Sequence, residues 1–318
     1  MKNGDDTLFP GNFDQFDTLH MNIDLQTLSN VQRQNWLQYA IAPRPIALVS
    51  TISASGNVNL SPYSFFNLFS YSPPLIVFSV VRRGRDNSTK HTLDNVLEVA
   101  EAVVNIVDEN IVQQVSLSSC EYPRSVNEFD MAGFTAIPSE SVKPPRVAES
   151  KIQMECRVTE VKPLGLTPGS GNLIICEVLK MHIDDSILND EGTMIDQRKL
   201  THVARLGGDW YSRVDENALF HVAKPNQKLG IGFPGLPEDI RHSRILTGNQ
   251  LAQLANVETI PVAEAAFHDP HVKQIIQYFS PNPDEMELEL HRHAAFLLEQ
   301  GKVREAWQVL LVAADPMG

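Results

Sequence analysis

The run Pro43-Arg44-Pro45-Ile46-Ala47-Leu48-Val49-Ser50-Thr51 reads as a buried strand, with apolar and β-branched residues following a proline break. Ser53-Ala54-Ser55-Gly56 then supplies turn chemistry, and Asn57-Val58-Asn59-Leu60-Ser61-Pro62-Tyr63-Ser64-Phe65-Phe66-Asn67 continues as a second extended segment. That second segment mixes small hydroxyls, amides and aromatics. A flat ligand with a polar edge needs such a mixture, because hydroxyls and N–H groups hold its polar chain while apolar walls flank its ring. Spacing alone is equally consistent with a strand whose Tyr63, Phe65, Phe66 and Phe69 are core.

Further strand signals follow along the chain. Pro73-Pro74 breaks it before Leu75–Val81, a β-branched run, and Ala102–Val107 reads the same way. Ile152–Val161 and Leu173–Ile183 read as a long antiparallel pair joined by the loop Pro163–Gly171. Helices are few: a short one before Pro43, one over His91–Glu98 capped by Ser88 or Thr89, and one from Asp108 to about Ser119. Many strands with two or three short helices predict a mainly β fold, a closed barrel with helical decoration.

Composition changes after Lys224-Pro225. Gly230–Pro237 reads as a Gly/Pro-rich linker, and the remainder reads helical. Leu290, Ala294, Leu297 and Leu298 keep one face of a helix, as do Val303, Ala306, Trp307, Leu310 and Leu311, with Gly301 between them as a C-cap. The hairpin is similar to one tetratricopeptide unit, but an unrepeated unit favours a cap packed on the barrel. The expected organisation is an arm and helix over 1–35, a barrel domain over 36–225 and a helical extension over 226–318.

A net charge of −13 argues against nucleic acid and anionic membranes as partners. Cys120, Cys156 and Cys176 are far apart and odd in number, which suits reduced thiols in the cytoplasm. No signal-peptide pattern is visible, and the most apolar stretch is too short to span a bilayer.

Two other stretches carry chemistry. Arg82-Arg83-Gly84-Arg85-Asp86-Asn87-Ser88-Thr89-Lys90-His91-Thr92 places four cations before the opening of a helix. A helix N-terminus with free N–H groups and added cations makes a phosphate site, while charge alone is also consistent with a solvated basic loop. Thr201-His202-Val203-Ala204-Arg205-Leu206-Gly207-Gly208-Asp209-Trp210-Tyr211 contains a Gly-Gly turn flanked by a cation and aromatics. No histidine combination has metal-ligand spacing, and no nucleophile signature is present.

Together these strings resemble the flavin reductase-like FMN-binding split-barrel family, which includes flavoredoxin, over roughly Trp36 to Pro225. The resemblance implies a split β-barrel of Greek-key type binding FMN. It carries flavin contact to Asn59, Ser61, Tyr63, Ser64 and Asn67, and phosphate contact to Lys90 and Thr92. Ser50, Thr51, Pro62, Arg82 and Arg205 join them as cofactor-binding candidates. Ser61 and Tyr63 stand where close relatives often have Ala and Phe, and His91 where they have an acid. His182 lies on a strand where some flavin reductases carry a histidine near the nicotinamide.

The implied activity is hydride transfer from NADH or NADPH to FMN, which requires no catalytic side chain and no metal. A homodimer is implied, and a monooxygenase or other acceptor as electron partner. The rival reading is a non-catalytic FMN-binding electron carrier reduced by a partner protein.

Overall fold

The computed structural model describes residues 21–224 and 229–314. Residues 1–20 of the expected arm, and Pro225 at the expected domain boundary, lie outside the described residues. The chain divides into two compact units, Met1–Phe220 and His221–Gly318.

In the first unit a capping box at Ser29 and Gln32 starts α1 (Asn30–Ala40). Then come β1 (Arg44–Pro45), β2 (Ala47–Ile52), β3 (Val58–Tyr63), β4 (Phe66–Tyr71) and β5 (Pro74–Val81). Helix α2 (His91–Glu98) and β6 (Glu101–Ile106) precede two short helices, α3 (Val112–Leu117) and α4 (Glu128–Ala132). The unit is completed by β7 (Ala136–Ile137), β8 (Arg146–Val147), β9 (Ile152–Pro163), β10 (Gly171–Ile183), β11 (His202–Arg205) and β12 (Tyr211–Val214).

Seven of these strands form one antiparallel sheet in the order β3-β2-β6-β9-β10-β5-β4. Only Ser64 and Phe65 separate β3 from β4, yet these strands lie at opposite ends of that order. The sheet must therefore roll up until its two edges come close. No ladder joins β3 to β4, so the expected closed barrel is open along this seam. Instead the Ser79 N–H donates to the Phe65 carbonyl at 2.9 Å. This is a split barrel.

Period-two alternation gives the sheet two apolar faces. Val49, Tyr63, Phe78, Val104, Cys156 and Ile174 pack together with Leu93 and Val96 of α2. The other face packs Leu48, Leu60 and Val107 against Val115 and Phe129 of α3 and α4. Tyr63 is buried and Phe66 packs beside it, whereas Phe65 and Phe69 are 42% and 68% exposed. A purely core role for this aromatic run therefore fails at two of its four positions.

The second unit contains α5 (Glu238–Arg241), α6 (Gly248–Ala255), α7 (Pro270–Phe279), α8 (Pro283–Glu299) and α9 (Val303–Ala314). Gly301, at φ +72°, turns α8 into α9. The apolar stripe of this hairpin is buried within its own unit. Leu290, Ala294, Leu298, Trp307 and Leu310 are buried with Leu251, Leu254 and Ile275 of α6 and α7, in a core of their own. The segment expected as a linker belongs to that core too. Leu236 is buried in it, and the Ile231 N–H donates to the Val257 carbonyl at 2.8 Å.

Candidate functional site

The side chains that the barrel brings together meet at Thr92, in the first turn of α2. Thr92 is fully buried, and its Oγ1 accepts from Asn59 Nδ2 and from the Tyr63 hydroxyl, each at 2.8 Å. Asn59, Ser61 and Tyr63 alternate along β3 and so share one face, which explains why two residues four apart reach one hydroxyl. Thr51 pairs with Asn59 across the β2–β3 ladder and receives Asn95 Nδ2 at 3.2 Å. Burial pushes the Tyr63 phenol up, which keeps it a neutral donor.

Lys90 stands at the start of α2 with its ammonium 5.4 Å from the centre of the Tyr63 ring. Among the described residues no carboxylate lies within ion-pair distance of it. Burial, and then the neighbouring Arg83, hold its pKa below the usual lysine value. The helix is expected to be capped by Ser88 or Thr89, but no side chain caps it. The residue at the cap position is Lys90, and Thr89 Oγ1 donates instead to the Asp94 carboxylate at 2.8 Å. The first turn thus offers backbone N–H groups, a positive dipole end and a half-buried cation without a counter-ion. That combination fits a phosphate.

Other candidates are placed differently. Ser50 and Pro62 lie on the opposite face of the β2–β3 pair, and the buried Ser50 hydroxyl has no partner. Ser64 sits in the bend between β3 and β4, and Asn67 is exposed, accepting the Leu68 N–H at 2.8 Å. Arg82 is spent on Asn87, donating to its side-chain oxygen at 2.8 Å and its carbonyl at 2.7 Å. Arg205 belongs to the three-stranded sheet β1-β11-β12, where its guanidinium stacks 4.6 Å from the centre of the Tyr211 ring.

His182 also leaves the cluster. Its Nε2 is 2.7 Å from Glu155, and the Gln153–Glu155 side of β9 is the side away from Met154 and Cys156, which share the core with Tyr63.

Sequence reasoning missed three residues beside the site. Arg124 donates to Asn95 Oδ1 at 3.2 Å and pairs with Glu98 at 3.2 Å, holding the loop before α4 against α2. Glu128 is buried, accepts the Leu60 N–H at 3.0 Å, and has its pKa raised by burial. Glu121 pairs with Arg83. None of these has a local signal, because each acts across more than twenty residues of chain. Arg124, Glu128, Asn59, Asn95 and His91 line a small cleft.

Comparison with known proteins gives a consistent picture. Residues 39–204 match the model of the flavin reductase like domain. An uncharacterized protein of Halalkalibacterium halodurans is 39% identical over 207 residues, covering 64% of this chain and 97% of its own. Among solved structures, nitrilotriacetate monooxygenase component B from Bacillus cereus is 31% identical with a TM-score of 0.59, covering 64% of this chain and 98% of that one. A split barrel domain protein from Shewanella frigidimarina superposes with a TM-score of 0.54 at 24% identity, covering 64% and 100%.

Proposed function

The chain belongs to the flavin reductase like domain family, and from that premise we propose that it is an NAD(P)H-dependent flavin reductase that binds FMN. The observation that carries the reading is Lys90, a half-buried cation without a counter-ion at an uncapped helix start. FMN, when bound, supplies the two-electron chemistry by accepting hydride from NADH or NADPH.

The chain's own residues bind and orient. Lys90 and the N–H groups of the first turn of α2 hold the terminal phosphate. The buried Thr92 hydroxyl accepts from Asn59 and Tyr63 and so braces β3 against the first turn of α2, to which Thr92 contributes its backbone N–H. Thr51 and Asn59, both buried, support it from the same face of the β2–β3 pair. No side chain in this cluster has to move a proton; its work is positioning.

The assembly we propose is a homodimer. Leu68, Phe69 and Tyr71 on the edge strand β4 are 64%, 68% and 91% exposed, and α1 exposes Trp36 and Tyr39 while burying none of its residues, with Ile41 exposed just after it. A second copy covering these surfaces removes both the open edge and the apolar patch. The likeness to a monooxygenase component supports a partner oxygenase as electron acceptor, and free thiols at all three cysteines support a cytoplasmic setting.

Mixing the FMN-loaded protein with NADH or NADPH under argon tests the activity. An active reductase bleaches at roughly 1–1000 per second. A protein that stays yellow with both nucleotides, yet is bleached by dithionite, is an electron carrier and not a reductase.

A further inference from the structure

The loop between β5 and α2 is fastened by its own groups. The Arg83 N–H donates to the Ser88 carbonyl at 3.0 Å, and the Asn87 N–H to the Arg83 carbonyl at 3.0 Å. The Asp86 carboxylate accepts the Ser88 N–H at 2.9 Å and the Ser88 hydroxyl at 2.6 Å. Asn87 sits at φ +60°, held by Arg82, and its amide donates to the Leu166 carbonyl at 2.9 Å. Arg83 also donates to Ser88 Oγ at 3.1 Å and to the Thr89 carbonyl. The turn is therefore closed by its own groups, and Arg83 Nε and the Arg85 guanidinium share one partner outside it.

Both end on one carboxylate from a distant loop. Arg83 Nε is 3.1 Å from Glu121 Oε1, and the Arg85 guanidinium pairs with Glu121 Oε2. Arg83 connects this pair to the cradle, since it holds the residue before Lys90, and the Lys90 ammonium feels the charges of both Arg83 and Glu121.

The charges around the turn can be summed. Arg82, Arg83, Arg85 and Lys90 stand against Asp86, Glu121 and Asp94, which accepts from Thr89, four positive less three negative, leaving +1. One phosphate monoester, which is close to doubly charged near neutral pH, is enough to offset that surplus. A dinucleotide flavin spreads its charge over two phosphates and needs two cationic positions. The second position exists, in Arg83 and Arg85, but a carboxylate already lies in it.

Resting on the reading of Lys90 and Thr92 as the phosphate cradle, we propose that Glu121 is a specificity residue: its carboxylate fills a second phosphate subsite formed by Arg83 and Arg85, and so selects a flavin with one terminal phosphate against a flavin dinucleotide. Glu121 and Arg85 are well exposed, so their pair contributes little to folding and can be altered without loss of the barrel.

Fluorescence-quenching titrations of the apo-protein with FMN and with FAD, on wild type, Glu121→Ala and the double variant Glu121→Ala/Arg85→Ala, test this. Unchanged thermal melting confirms that the variants are folded. The ratio of FAD to FMN dissociation constants should fall about tenfold in Glu121→Ala, as expected when a charge-assisted phosphate contact becomes available, and should recover in the double variant. A ratio that stays within twofold of wild type in Glu121→Ala overturns the proposal, as does a fall that persists after Arg85 is removed. A wild type that binds neither flavin overturns the FMN reading itself, which separates the two claims.

Discussion

Two charged side chains in the barrel unit are treated in opposite ways. Glu155, on β9, is fully buried and surrounded by donors: the Glu140 and Ser141 N–H groups at 2.9 and 2.5 Å, His182 Nε2 at 2.7 Å, and Arg146 at 3.8 Å. Lys90 is half-buried, faces an aromatic ring, and has no carboxylate within ion-pair distance among the described residues. A buried charge that the fold satisfies completely is a fastening, and here it pins the loop around Glu140 to the sheet. A partly buried charge that the fold leaves unbalanced costs stability unless a ligand completes it. The difference separates structure from function within one sheet.

The largest expected effect is on the fastening. Glu155→Ala leaves two backbone donors and His182 without an acceptor, and should lower unfolding free energy by about 3 kcal/mol. Denaturant unfolding reads this directly, and FMN affinity measured under native conditions should not change. Loss of FMN binding in a folded Glu155→Ala protein would break the comparison.

Lys90→Ala should do the reverse. FMN binding should weaken by about 1.5–3 kcal/mol, the usual worth of hydrogen bonds to charged groups, with stability unchanged or slightly improved. Equilibrium titration and thermal melting together check both halves. A smaller effect belongs to His182→Ala, which removes one donor from an otherwise satisfied carboxylate and should cost about 1 kcal/mol of stability. Its rate of bleaching by NADH should match wild type; slower bleaching with normal FMN content would return His182 to the nicotinamide.

The smallest effect is a pH dependence. Burial and Arg83 lower the Lys90 pKa, so the apo-protein holds that proton less tightly than free lysine does. A bound phosphate favours the charged ammonium and raises the pKa again. FMN affinity should therefore be fully developed below the lowered value and decline as pH rises through it, beginning below the ordinary 10.5. Lys90→Ala should lose this decline.

Much of this was legible in residues close together in sequence. The boundaries of α2 and the long β9–β10 pair follow from propensity and alternation, whereas the roles expected of Asn59–Asn67, Lys90 and Thr92 came from the family resemblance, spacing and charge alone being as consistent with a core strand and a solvated basic loop. The meeting of Asn59, Tyr63 and Thr92 was not legible as geometry, since it depends on how the sheet rolls. The cap was misread because Thr89 found a better acceptor in Asp94. Gly230–Pro237 looked like a linker because glycine and proline mark irregular backbone whether or not it is packed. At Gly230 it is packed: a Cβ there would lie 2.6 Å from the Ala255 carbonyl. Arg124, Glu121 and Glu128 were invisible because an ion pair or hydrogen bond between distant loops leaves no periodic trace.

The central claim is that Lys90 lacks a counter-ion because a flavin's phosphate supplies it. Titrating the apo-protein with FMN and with riboflavin, which has the same ring and no phosphate, tests that claim most directly. FMN should bind at least tenfold more tightly than riboflavin, and most of that difference should vanish in Lys90→Ala while riboflavin affinity stays constant. Equal affinities in the wild type, or a difference that survives the loss of Lys90, would contradict it.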